Sequence, residues 1–213
     1  MLALGRAQVG LWQQAQRARV GLDRAGKISL QIQRIADLLP ARGRAGVVLA
    51  GRGITVVYGG GHVGLMGLLA EAALQAGGRV IGVIPEGLKR RELAYDNLTE
   101  LIVTRTMHER KQRMADLSDG FIALPGGFGT FEEFCEIVTW AQLGLHEKPC
   151  ALLNVKGYYD RMLAMFDHAL QEGFVRPAHR TLVLAASDAR AVLAAMEGWV
   201  PPQLEKWLTP DTA

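Results

Sequence analysis

The stretch Pro125-Gly-Gly-Phe-Gly-Thr-Phe-Glu-Glu133 gathers glycines, a threonine and two carboxylates into one short segment. An apolar run, Gly120 to Leu124, precedes it, and helical apolar spacing from Thr130 to Leu143 follows. The pattern predicts a strand that ends, a glycine turn, and a helix that begins at Thr130. Glycines let backbone N–H groups approach a ligand closely. The unpaired N–H groups and dipole of a helix start form an anion site. A phosphate fits such a site, held by the backbone of Gly127, Phe128, Gly129 and Thr130, with the Thr130 hydroxyl as a further donor or as a helix cap. A plain strand–turn–helix corner accounts for the bare glycines equally well. Glu132 suits a first helical turn, where an acid gains roughly 0.3–1 kcal/mol from the dipole. Glu133 beside a phosphate is repelled, which points to catalytic use as a base for water or a stabiliser of a cationic transition state. Glu132, Glu136 and Thr139 share one helix face.

A second group is Met107-His-Glu-Arg-Lys111, opening a predicted helix from His108 to Leu117. Arg110 and Lys111 near a helix start oppose the dipole. Local rules are broken more often at functional sites than elsewhere. Arg110 offers a planar fork for phosphate or carboxylate. Taken alone, a solvated charged face is the simpler reading of this helix, and His108 reads as a capping or surface residue. A third group, Tyr58-Gly-Gly-Gly-His-Val-Gly-Leu-Met-Gly67, repeats the strand–glycine–helix design. Gly59, Gly60 and Gly61 are candidates for a pocket floor, while Gly64 and Gly67 suit close helix packing. No Gly-Lys-Ser/Thr follows, so this is not a full P-loop.

The elements that must position these groups alternate regularly. Strands are predicted at 54–58, 79–85, 98–104, 120–124, 149–155 and 181–185, with helices at 64–75, 108–117, 130–143, 158–172 and 188–197. Such alternation implies right-handed crossovers and an α/β, Rossmann-like, doubly wound fold, its mainly parallel sheet covered by helices on both faces. Ligands bind such sheets beyond the carboxyl ends of the strands, where both glycine breaks fall. The expected organisation is an atypical N-terminal segment (1–46), the Rossmann-like domain (47–198) and a C-terminal tail (199–213). The best candidate for an opening strand in the first segment is the alternating Ile28-Ser-Leu-Gln-Ile32.

Apolar residues make up 49% of the 213, enough for a core and against a disordered chain. No apolar run is long enough for a membrane span, and no secretory signal is evident. The net charge is +3, but residues 1–46 hold seven Arg and Lys27 against Asp23 and Asp37, a net of +6. The remaining residues therefore carry −3, which argues against a nucleic-acid-binding face. Cys135 and Cys150 stand apart, with no metal-ligand spacing, and read as buried thiols of a reducing, cytoplasmic compartment. Neither a metal nor a cofactor is expected.

YGGGHVGLMG, MHERK, ALPGGFGTFEE, TWAQLGLHEKP and LLNVKGYYD together resemble the Lonely Guy (LOG) family of cytokinin riboside 5′-monophosphate phosphoribohydrolases, over about residues 47–190. Some members of that family were mislabelled lysine decarboxylases, an activity unsupported here because no lysine sits in a recognisable pyridoxal site. The resemblance implies hydrolysis of an N6-substituted adenosine 5′-monophosphate to free base and ribose 5-phosphate by a homodimer with sites near the subunit interface. It implies Arg110 and Glu133 as the catalytic pair. It also implies nucleotide contacts from Glu92, Lys111, Glu132, Thr139 and the backbone from Gly127 to Thr130. The family opens with an apolar strand ending in a Cys-Gly-Ser-Ser-like turn, and residues 1–46 contain no such turn. A non-catalytic nucleotide or molybdenum-cofactor-type carrier on the same fold is the competing expectation.

Overall fold

The computed structural model describes residues 2–5, 41, 43–62, 65–89, 95 and 97–203. The strands are β1 (Leu2–Gly5), β2 (Val56–Tyr58), β3 (Val80–Pro85), β4 (Glu100–Thr104), β5 (Gly120–Ala123), β6 (Cys150–Leu153) and β7 (Val183–Ala186). Helix α1 occupies residues 43–51. The remaining helices are α2 (Leu65–Gln75), α3 (Glu86–Lys89), α4 (Met107–Asp116), α5 (Phe128–Leu143), α6 (Asp160–Gln171), α7 (Pro177–Arg180) and α8 (Ala189–Glu197). A short 3-10 turn, Val155–Gly157, precedes α6.

Among the described residues all strand pairs are parallel, in one seven-stranded sheet of order β4-β3-β2-β1-β5-β6-β7. The winding reverses between β1 and β5, and parallel strands put every carboxyl end on one edge. The crevice beyond β1 and β5 is therefore the switch point at which such sheets bind ligands. Alternation along each buried strand divides the core in two. Val56, Tyr58, Ile122 and Leu124 pack with Ala45 and Leu49 of α1, Leu69 and Ala73 of α2, and Val192 of α8. Val57, Phe121 and Ala123 face the other way, onto Met114 of α4, Phe134 of α5 and Met162 beyond. Helices thus cover both faces, as the alternating sequence pattern requires.

The opening strand differs from expectation. Leu2–Gly5 lies between β2 and β5, in register with Val56 and with Gly120–Ala123. A central parallel strand has apolar neighbours on both faces, so a continuous apolar run such as Leu-Ala-Leu is its signature; alternation marks a half-exposed strand. Ile28–Ile32 lies outside the described residues. Cys150 is buried as expected, and burial pushes its thiol up to about 12. Cys135 is exposed. It sits one residue beyond the core-facing Phe134, and one helical step turns it out of the core.

Gly67 is fixed by packing. A Cβ there would stand 1.8 Å from the His62 carbonyl oxygen and 2.8 Å from its carbon. The first turn of α2 thus rests on the backbone of the Gly59–His62 loop. Gly67→Ala is expected to lower stability by about 1–3 kcal/mol, because backbone must shift. A urea midpoint equal to wild type would refute this.

Candidate active site

Helix α4 begins with a tight cap. The Thr106 hydroxyl accepts from Glu109 N at 3.1 Å, and the Glu109 carboxylate accepts from Arg105 N at 2.9 Å. Thr106 is thus the cap, and His108 is an exposed neighbour. Fixing this turn aims Arg110 inward, where its side chain is 0% exposed. Its Nε donates to the Val83 carbonyl at 2.8 Å, its Nη1 lies 3.2 Å from Met107 Sδ, and Nη1 reaches Glu133 Oε1 at 3.5 Å. The charged face of α4 is therefore not all solvated; its fourth residue anchors it to the carboxyl end of β3.

Helix α5 begins at Phe128, two residues earlier than the sequence suggested. Gly127 is the N-cap through backbone alone, its carbonyl accepting from Thr130 N at 3.0 Å and Phe131 N at 3.1 Å. That leaves the N–H groups of Gly127, Phe128 and Gly129 directed off the helix start. Thr130 does not cap. Among the described residues its hydroxyl is buried with no hydrogen-bond partner, as is Arg110 Nη2. Glu132 and Glu133 consequently lie in the second turn, where the dipole gives less reason for acids. Thr130 and Glu133 are three residues apart, hence on one face.

Lys111 holds the neighbouring acids. Its Nζ donates to Glu132 Oε1 at 2.7 Å and Glu136 Oε1 at 3.0 Å. Burial pulls the Lys111 ammonium down, but the two carboxylates outweigh it and its pKa lies above the ordinary value. Glu133 is left as the acid turned to Arg110. The Thr139 hydroxyl donates back to the Cys135 carbonyl at 2.7 Å, on the far side of that network. Gly59, Gly60 and Gly61 are buried at the carboxyl end of β2, where Gly60 takes φ +75° and any Cβ there would press on Ile84 and Leu101. Glu92 lies outside the described residues, as does Gly64. Sequence reasoning also missed Tyr158 and Tyr159. The Tyr159 hydroxyl donates to the Leu124 carbonyl at 2.6 Å, and that of Tyr158 to the Gly126 carbonyl. Their only local signal was the Lys-Gly-Tyr-Tyr turn after β6.

The loop after α5 braces both helices. His146 Nδ1 accepts from Lys148 N at 3.1 Å, so the ring proton is on Nε2 and donates to the Ile137 carbonyl at 2.9 Å. Lys148 Nζ donates to the Ala115 carbonyl at 2.9 Å. Burial lowers the His146 pKa below its ordinary 6.5, the Ile137 carbonyl opposes this, and Lys148 adds to it. A depressed folded value means that the unfolded chain takes the proton first as pH falls. The contribution is full above 6.5 and is lost as pH falls through the folded value. Urea midpoints of wild type should therefore drop between pH 7.5 and 5.5 more than those of His146→Gln; equal drops would contradict the assignment.

Among the described residues, no group of three or more His, Cys, Asp or Glu side chains could hold a metal ion. Nor is any described helix long and apolar enough to cross a membrane. A doubly wound parallel sheet, with a glycine-capped helix start and a buried arginine toward its carboxyl edge, defines a Rossmann-type protein. The family described as "Possible lysine decarboxylase" matches residues 66–196. A protein of Oryza sativa subsp. japonica named probable cytokinin riboside 5′-monophosphate phosphoribohydrolase is 53% identical over 157 residues, 74% of this chain and 64% of the relative. The Arabidopsis thaliana enzyme of the same activity name is 48% identical over 156 residues, 73% of each chain. The chain belongs to the LOG family. The chain thus spans slightly less than two thirds of the rice relative. Among solved structures, the molybdenum cofactor carrier protein of Chlamydomonas reinhardtii aligns with TM-score 0.57 at 24% identity, covering 76% of this chain and 87% of its own. The molybdenum cofactor binding protein of Rippkaea orientalis aligns with TM-score 0.56 at 24% identity, covering 75% and 85%. Both share the fold.

Proposed function

We propose that this chain hydrolyses the N-glycosidic bond of adenosine 5′-monophosphate, preferentially N6-substituted, to free base and ribose 5-phosphate. Arg110 and Glu133 form the reacting pair. The observation that carries this reading is the buried Arg110 guanidinium, 3.5 Å from Glu133, with Nη2 and the Thr130 hydroxyl, three residues before Glu133 on α5, both buried without a partner among the described residues. Buried polar groups in native proteins are nearly always paired. Two such groups, with a carboxylate and a helix start, fit a ligand that brings acceptors.

The 5′-phosphate sits on the N–H groups of Gly127, Phe128 and Gly129, with Thr130 Oγ1 as a further donor. That fixes the sugar relative to Glu133. As the bond between C1′ and the base nitrogen breaks, the ribose becomes oxocarbenium-like, as in glycosidases. The Glu133 carboxylate stabilises that charge and takes a proton from water as its oxygen bonds to C1′; the base nitrogen takes a proton from solvent as its bond to C1′ breaks, and Glu133 then returns its proton to solvent. Lys111, paired with Glu132 and Glu136, lowers the negative charge near the phosphate. Thr139 and Glu92 are proposed as further nucleotide contacts, and Gly59–Gly61 as pocket floor. A cytoplasmic homodimer belongs to the same proposal, with light scattering on the purified chain as its test.

The deciding experiment incubates the chain with AMP and its isopentenyl derivative and follows free base by chromatography. Release of base supports the proposal. Tight binding without release is the result expected of a carrier.

A further inference from the structure

The peptide between Gly126 and Gly127 decides whether an anion meets a donor or an acceptor. In a trans peptide the C=O and the following N–H point in opposite directions. Flanked by two glycines, this unit can turn over with little steric cost. Turned one way it offers the Gly127 N–H to the space before α5; turned the other way it puts the Gly126 carbonyl there, against the phosphate.

Tyr158 grips that carbonyl, its hydroxyl donating to Gly126 O. The ring stacks edge-on against Tyr159, centroids 5.0 Å apart. Tyr159, 1% exposed, donates to the Leu124 carbonyl at 2.6 Å, fixing the strand end just before the loop. The tyrosines are placed in turn by a built corner. Asn154 Oδ1 accepts from Tyr159 N at 2.7 Å, and Asn154 Nδ2 donates to Asp160 Oδ1 at 2.7 Å. Lys156 and Gly157 take φ +51° and +69°, reversing the chain between them. Such a conformation is uncommon for a lysine and persists only where surrounding structure holds it. With Gly126 O taken by Tyr158 and Gly127 O taken by the first turn of α5, both loop carbonyls are turned from the anion site.

We propose that Tyr158 is a positioning residue for phosphate recognition: its hydroxyl locks the Gly126–Gly127 peptide with the Gly127 N–H directed at the 5′-phosphate, and Tyr159 anchors the strand end beneath it. This rests on the nucleotide reading above, yet it can fail separately.

The test uses the full chain. In the 15N-labelled wild type, titration with inorganic phosphate and then ribose 5-phosphate should shift the Gly127 amide together with those of Phe128 and Gly129. A Gly127 resonance that stays still while the other two move overturns the lock, whatever any variant does. Tyr158→Phe removes one oxygen from a half-exposed ring, and its fold is checked by thermal melting. It should raise KM for AMP about tenfold, the size of one charge-assisted hydrogen bond, with kcat changed less than about threefold. Affinity for adenosine, which lacks the phosphate, should be unchanged. Unchanged KM, or equal weakening of AMP and adenosine, overturns the proposal. A wild type that binds ribose 5-phosphate through Gly127 but releases no base sinks the hydrolase reading and leaves the lock standing.

Discussion

Glu133→Gln will release base from AMP about 10²–10³-fold more slowly than wild type, the scale on which one preorganised electrostatic group at a transition state is measured. The substitution keeps size and shape, and its amide oxygen can still accept from Arg110 Nη1, which now reaches Glu133 Oε1 at 3.5 Å. What it removes is a negative charge. The Glu133 side chain is only 16% exposed, so its field is screened by water less than that of Glu132, at 58%. The positive charge on ribose exists only as the glycosidic bond breaks. Losing the carboxylate therefore lowers kcat, while KM for AMP, set by phosphate contacts, moves little. Glu132→Gln is the comparison: it loses one of the two carboxylates on Lys111 and should cost less than about tenfold. A Glu133→Gln enzyme with wild-type kcat would remove this carboxylate from the mechanism.

The fold was legible because its signals are local. Short apolar strands separated by amphipathic helices specify crossovers, and glycine breaks locate the carboxyl edge. The candidate pair was legible only as residue types in motifs. Nothing local distinguishes Arg110 from its charged neighbours on α4; its burial depends on the Val83 carbonyl, 27 residues away, and on Glu133, 23 residues in the other direction. The helix start was displaced to Thr130 because capping rules look for a side chain, whereas Gly127 caps with its own carbonyl. The tyrosine lock was invisible for a similar reason: Tyr158 and Gly126 are 32 residues apart. Leu2–Gly5 was missed because an isolated apolar run gives no period, and its partners lie at Val56 and Gly120.

Arg110→Met will separate activity from stability. Base release should fall at least about 10²-fold, since Nη2 and Nη1 can no longer meet the substrate or hold Glu133. The melting temperature should nevertheless match or exceed that of wild type. A fully buried guanidinium costs several kcal/mol in lost hydration; removing one partner of a sealed pair is strongly destabilising, but Glu133 keeps contact with solvent. Against this stand the loss of the Nε bond to Val83 O at 2.8 Å, about 1–3 kcal/mol for a buried acceptor left unpaired, and the loss of a cation beside Glu133. Glu133 is not sealed in, so water can replace part of its lost partner. In wild type the guanidinium gives even less than a full pair, because Nη2 is buried without a hydrogen-bond partner among the described residues. The desolvation cost therefore dominates, and in the proposed reading it is retained because the substrate needs the guanidinium. Ligand supplies the missing acceptor, so AMP should raise the wild-type melting temperature more than that of Arg110→Met. Arg110→Lys sharpens the distinction: one ammonium cannot reach Val83 O, Glu133 and substrate at once, so charge alone should not restore activity. A large drop in melting temperature for Arg110→Met, with base release intact, would make Arg110 a structural anchor and dissolve the proposed pair.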